Sequence, residues 1–249
     1  MFPKKPYLLG VSVAGYLHLK EGLPCQDACK YLIHKDNYGL IAVADGLGSA
    51  FLSHIGAQKA VEKAIETAIK LLEVNNTSLA DIPIKMIEFS RYALIEIAEQ
   101  EGLNLSNLAT TLITVAFDKR GIHSAQVGDG AVVVQINGQL KILTCSLNFE
   151  YVNEVMPITT EDYLDGLIFE SINNPVDFVS VFTDGCQRAA LKKTEIGYEP
   201  FEGFFRPVFD FATKINHIEQ ANKELEEFLM SKKMSEYFED DKTLVIGVI

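Results

Sequence analysis

Cysteine is scarce in this chain, and long apolar runs, linkers and repeats are missing from it. Four cysteines, Cys25, Cys29, Cys145 and Cys186, are too few for a disulfide framework over 249 residues. Cys25 and Cys29 have the look of half a zinc site, but no second closely spaced Cys or His pair completes it. No apolar stretch approaches the ~20 residues needed to span a bilayer. Met1-Phe2-Pro3-Lys4-Lys5-Pro6 has no adjoining apolar run of the signal-peptide kind. Basic residues are outnumbered, 22 against 34, for a net charge of −12. A field of that sign repels nucleic-acid phosphates and anionic membranes, so neither is an expected partner. Phosphorylated substrates are repelled too, unless bound cations reverse the local sign. The expected setting is a reducing cytoplasm.

What is present suits a packed core. Hydrophobic residues make up 48% and charged residues 22%. The length suits one large domain or two small ones, low-complexity runs and long Pro/Gly/Ser linkers are lacking, and the expectation is a single domain over residues 1–249.

The most informative stretch is Leu40-Ile41-Ala42-Val43-Ala44-Asp45-Gly46-Leu47-Gly48-Ser49. A buried strand that ends on Asp-Gly holds a carboxylate at a fixed point at the end of a sheet. Before it, Tyr7 to Leu19 and Ala28 to His34 are read as strands, with a hairpin-type turn at Asp36-Asn37-Tyr38-Gly39 in which Asn37 and Gly39 are the candidates for positive φ. After it, Ser53 is a candidate N-cap. Ala57, Ala60, Val61, Ala64, Ile65, Ala68, Ile69 and Leu72 then recur at helical spacing. A second helix is expected from about Ile84 to Gln100.

The chain next turns to strands: Thr110 to Phe117, Ile122 to Val127, Ala131 to Ile136, Gln139 to Thr144, Leu167 to Ile172 and Asp177 to Phe182. Residues 186–235 read as mainly helical, and Leu244 to Ile249 as a last strand. Strands, two helices, many strands, helices and a strand suit an α+β layered fold of antiparallel sheets covered by helices.

Five aspartates share a context. Asp27, Asp45, Asp129, Asp184 and Asp240 each fall at a strand end or tight turn, and Asp45, Asp129 and Asp184 each precede glycine. A single Asp-Gly is ordinarily just a turn. Carboxylates gathered together would repel one another, and divalent cations relieve that repulsion directly. All-oxygen sites of Asp and carbonyl groups suit Mg²⁺ or Mn²⁺.

In their order, Gln26-Asp27-Ala28, Val43-Ala44-Asp45-Gly46, Thr110-Thr111-Leu112, Val127-Gly128-Asp129, Phe182-Thr183-Asp184-Gly185 and Asp240-Asp241-Lys242-Thr243 resemble the motifs of metal-dependent serine/threonine protein phosphatases of the 2C type. Glu150-Tyr151-Val152-Asn153-Glu154 also resembles a bacterial branch of that family. The resemblance implies a four-layer αββα sandwich with two Mg²⁺ or Mn²⁺ ions, and a third bound more weakly, in a cleft at one end of the sheets. Asp45 would bridge two metals, with the Gly46 carbonyl on one of them and Asp184 and Asp240 holding the other. Asp129 would serve the third, and Asp27 would orient the attacking water. The substrate implied is a phosphorylated protein, with a cognate kinase as a further partner.

Three positions depart from the family. The common acidic residue before Asp27 is Gln26, and the usual phosphate-binding arginine falls at Gly22, with His18 or Lys20 as candidate substitutes. The histidine that often follows Asp-Gly is Leu47. The missing arginine and Gln26 keep open a rival from another class, a phosphatase fold used as a non-catalytic binding module. A dinucleotide fingerprint at Gly46-x-Gly48 lacks its third glycine and is followed by a second helix instead of a strand.

Overall fold

Every residue from Leu40 to Ala44 is shielded from solvent, so the strand that carries them is covered on both faces. The computed structural model describes residues 5–74, 77–146, 155–195, 197–235 and 239–249. In chain order its elements are β1 (Tyr7–Val13), α1 (Tyr16–Glu21), β2 (Asp27–His34), β3 (Tyr38–Asp45), α2 (Ser53–Val74), α3 (Ile82–Glu101), β4 (Leu112–Asp118), β5 (Gly121–Val127), β6 (Ala131–Ile136), β7 (Gln139–Cys145), β8 (Ile168–Ile172), β9 (Phe178–Phe182), α4 (Asp184–Ala190), β10 (Leu191–Thr194), β11 (Gly197–Pro200), α5 (Glu202–Ala212), α6 (Ile218–Leu229), α7 (Lys232–Ser235) and β12 (Lys242–Val248).

Two five-stranded sheets result, ordered β1-β12-β9-β6-β7 and β2-β3-β4-β5-β8, with neighbours antiparallel. Three apolar layers bind them into the expected four-layer αββα sandwich. Along β3, Leu40, Ala42 and Ala44 pack with Ala57, Val61 and Ile65 of α2 and Met86, Ile87 and Leu94 of α3. The alternate residues Ile41 and Val43 pack with Val132, Val179, Val181 and Val245 of the other sheet. The outer face of that second sheet, Leu244, Ile246, Phe178 and Phe182, packs with Phe205, Phe209 and Leu225 of α5 and α6. Burial on both faces explains why these antiparallel strands read as continuous apolar runs without alternation.

Four local expectations are corrected. The strand read as Tyr7 to Leu19 stops at Val13, and α1 follows. At Gly15 the chain crosses the segment leading into β12 so closely that an added Cβ would lie 2.3 Å from the Asp240 carbonyl carbon. In the turn before β3, Asn37 takes the left-handed conformation (φ 64°) but Gly39 does not. Gly39 instead makes room for the Phe117 ring, 1.9 Å from where its Cβ would be. Ser53 opens α2, yet its buried Oγ has no hydrogen-bond partner among the described residues and so caps nothing. The hairpin β10–β11 interrupts the helical reading of 186–235. Its two four-residue strands are too short to show a period of two. The Glu150–Glu154 stretch lies outside the described residues. Among those described, no helix is long and apolar enough to cross a membrane.

Candidate active site

Asp27 opens β2 and Asp45 closes β3, and the two are register partners. Asp184 follows β9 as the first residue of α4, Asp240 and Asp241 precede β12, and Asp129 lies in the turn from β5 to β6. Both β12 and β6 pair antiparallel with β9. The starts of β12 and β6 therefore lie beside the end of β9. Both sheets deliver their acids to one end of the sandwich, where Thr183 and Thr243 from one sheet donate hydrogen bonds to Asp27 Oδ2 of the other (2.7 and 2.8 Å).

The backbone that aims these groups is tightly specified. The Asp45 carbonyl accepts from the Thr111 N–H (2.8 Å) and the Thr110 hydroxyl (2.9 Å), and the Asp45 N–H donates to Thr111 Oγ1 (3.0 Å). Gly46 donates its N–H to the Gln26 carbonyl (3.1 Å), and a Cβ there would lie 2.7 Å from the Ser53 backbone. Asp129 is carried between Gly128 (φ 96°) and Gly130 (φ 87°), and the Gln126 side-chain amide donates to both of their carbonyls (3.2 and 3.0 Å).

Asp240 and Asp241 divide their roles. Asp240 is exposed, and its charge acts on Asp45, Asp129 and Asp184. Asp241 is buried and fully engaged: Oδ1 accepts from the Gly15 N–H (2.7 Å) and meets His18 Nδ1 (2.8 Å), and Oδ2 accepts from the Gln26 N–H. The buried Lys242 donates from Nζ to the Asp240 carbonyl (2.9 Å). Thr183, Asp241, Lys242 and Thr243 stood in the sequence only as members of the resembled motifs, with no role attached, and Gln126 gave no signal, because only pairing across the sheets gives these side chains a task.

Burial raises the carboxyls first, and their mutual repulsion adds to it. Asp27 is pushed up to about 8 by desolvation, opposed by the Thr183 and Thr243 hydroxyls and assisted by the charges of Asp241 and Asp184. Asp184 rises to about 7 through burial and the charges of Asp129 and Asp240, while a hydrogen bond shared with Asp45 works the other way. Asp45 is raised by burial and then by Asp27, Asp184, Asp129 and Asp240, and Asp129 by burial and Asp240.

The donors are hard oxygens, and Asp27 Oδ1 is buried without a hydrogen-bond partner among the described residues. Such a set fits Mg²⁺ or Mn²⁺, because a divalent cation neutralises crowded carboxylates and hydrating water satisfies the orphaned oxygen.

The departures also acquire a place. Gly22 ends α1 in the left-handed conformation (φ 69°) with open space around it, so the position closes a helix and supplies no cation. His18 belongs to that helix, not to a strand, and its ring is engaged by Asp241. Lys20 is exposed. The Leu47 N–H donates to the Ala109 carbonyl (3.0 Å). Cys25 and Cys29 are free thiols, and burial pushes Cys29 up to about 11.

Residues 14–230 match the family model described as protein phosphatase 2C. Serine/threonine-protein phosphatase 3 of Escherichia coli (strain K12) is 31% identical over 248 residues, spanning 97% of each chain. Among solved structures, the catalytic domain of the serine threonine protein phosphatase PstP in complex with 2 manganese ions aligns with a TM-score of 0.64 at 14% identity, covering 98% of this chain and 97% of that one. Serine/threonine phosphatase Stp1 from Staphylococcus aureus aligns with a TM-score of 0.62 at 15% identity, over 100% and 96% of the two chains. The two structural likenesses speak for the fold alone. The chain belongs to the protein phosphatase 2C family.

Proposed function

We propose that this chain is a Mg²⁺- or Mn²⁺-dependent phosphatase that hydrolyses phosphoserine and phosphothreonine in proteins, working in the cytoplasm opposite a cognate kinase. The observation that carries the reading is the placement of Asp27, Asp45, Asp129, Asp184 and Asp240 at one end of the sandwich, near enough for their charges to act on one another. In this reading Asp45, the Gly46 carbonyl, Asp184 and Asp240 hold two cations and Asp129 a weaker third. Bound cations of this kind supply a nucleophilic water at neutral pH and neutralise phosphoryl oxygens.

The remaining work belongs to the chain. Asp27 is held at Oδ2 by two threonine hydroxyls, so Oδ1, which has no hydrogen-bond partner among the described residues, would accept a hydrogen bond from the attacking water and fix its direction. The Thr110 and Thr111 contacts hold the Asp45–Gly46 backbone, which keeps the carboxylate and the carbonyl aimed together. With Gly22 closing a helix, no arginine holds the phosphate from that position, and positioning rests on the acidic centre and its cations.

The test is hydrolysis of p-nitrophenyl phosphate and of phosphoserine, phosphothreonine and phosphotyrosine peptides. Turnover is expected with added Mn²⁺, lost with EDTA and lost in Asp184→Asn. A second reading, a non-catalytic binding module, is favoured by Gln26 and by the helix-capping role of Gly22. It requires phosphoprotein binding without turnover.

A further inference from the structure

Helix α1 is an anomaly in this fold. It spans Tyr16–Glu21 and none of its residues is buried. Tyr16, Leu17, Leu19 and, just beyond the helix, Leu23 are 57%, 45%, 56% and 44% exposed. Four large apolar side chains within eight positions keep about half of their surface in water. Clustered exposure of this kind marks an interaction surface.

The helix is nevertheless firmly held. Gly15 and His18 both bond to the buried Asp241 carboxylate, the Leu17 N–H donates to the Glu239 carbonyl (3.4 Å), and the Leu23 N–H donates to the His18 carbonyl (2.9 Å). His18 faces inward, and Tyr16 and Leu19, three positions apart, share the opposite, solvent-facing side. His18 also joins the helix to the acidic centre, for one ring nitrogen and one carboxylate oxygen each from Asp240 and Asp241 lie within 4.8 Å of one another.

We propose that α1 is a docking rim for the substrate, taking a large aliphatic or aromatic side chain three to four residues from the phosphorylated residue. The occupant follows from continuity with the site. A phosphoryl group held at the acidic centre lies beside Asp240, on the inner side of α1. The outer face is one helix width away, roughly 10–12 Å. An extended peptide advances roughly 3.3 Å per residue, so three to four residues cross that distance. Charge excludes an acidic flank, and the exposed side chains themselves set the apolar preference. The chain carries −12 overall, so an acidic flank would be repelled, and apolar contact is what Tyr16, Leu17 and Leu19 can offer.

The proposal rests on the phosphatase reading but is tested separately from it. The triple variant Tyr16→Ser/Leu17→Ser/Leu19→Ser changes exposed side chains only and leaves Gly15, His18 and Asp241 in place. With Mn²⁺ present, its p-nitrophenyl phosphate hydrolysis should match wild type. Its kcat/KM on a phosphopeptide with leucine four residues from the phosphoserine should fall about tenfold, and on the serine-flanked peptide it should stay level. Binding of the same fluorescent phosphopeptides, read by anisotropy, gives a readout independent of turnover. If neither protein hydrolyses anything yet the leucine-flanked peptide binds wild type more tightly than the variant, the phosphatase reading falls and the docking rim stands. If wild type and variant bind the two peptides equally, or the variant loses both in the same proportion, the docking rim is overturned.

Discussion

The Thr183 hydroxyl donates to Asp27 Oδ2 across the gap between the two sheets, over 2.7 Å. Thr183 Oγ1 also accepts the Thr243 N–H (3.0 Å), so one side chain joins β9, β12 and β2 at the acidic end. Thr183→Val keeps the shape and removes both bonds. The cost should be about 2 kcal/mol, since a buried carboxylate loses a donor and a buried N–H its acceptor. Urea unfolding in EDTA measures it. An unchanged midpoint would mean that the sheets are not tied at this point.

The crowding of carboxyls makes a counterintuitive prediction for Asp45. Its carboxyl is opposed by Asp27, Asp184, Asp129 and Asp240. Asp45→Asn should abolish Mn²⁺-dependent turnover while raising the stability of the metal-free protein by about 1 kcal/mol. It should also remove the Mn²⁺-induced rise in melting temperature. A metal-free variant that melts below wild type would show that the carboxylate is not held against repulsion.

Stability without metal should depend on pH in a definite direction. Asp27 is raised to about 8 and Asp184 to about 7 from the ordinary 3.8. Between those limits the folded chain keeps protons that the unfolded chain has released. Stability therefore falls as pH rises from about 4 to about 8. Unfolding midpoints in EDTA should be higher near pH 5 than near pH 8, and saturating Mn²⁺ should flatten the slope by occupying the deprotonated site. A metal-free midpoint that rises over this window would contradict the sign.

Gly185 is the tightest glycine at the site. A Cβ there would lie 1.9 Å from the Asp241 carbonyl oxygen. Gly185→Ala should cost about 1–3 kcal/mol or more, and it should weaken Mn²⁺ binding by moving Asp184 at the start of α4. Calorimetric titration with Mn²⁺ checks the second effect. Undiminished affinity would mean that α4 can shift without carrying the ligand.

Much of the fold was legible because each sheet is buried on both faces. The apolar runs Leu40–Ala44, Ala131–Ile136 and Leu244–Val248 marked strands, and the 3.6-residue stripe from Ala57 to Leu72 marked α2. Helix α1 was hidden for the opposite reason. Its apolar residues serve no core, so Tyr7–Leu19 looked like one continuous strand. The hairpin β10–β11 was hidden by its brevity.

The sequence by itself determined which carboxylates fall at strand ends or tight turns, because an acid cannot continue an apolar run as packing surface. The order of its elements also marked antiparallel sheets covered by helices, while the four-layer stacking came only from the family resemblance. Only the tertiary structure decided that Asp27 meets Thr183 and Thr243, that Asp241 holds Gly15 and His18 while the charge of Asp240 acts on the other acids, and that Gly22 closes a helix. Those relationships join residues as many as 226 positions apart. Local propensity carries no information about such pairs, and the antiparallel register of two facing sheets supplies it.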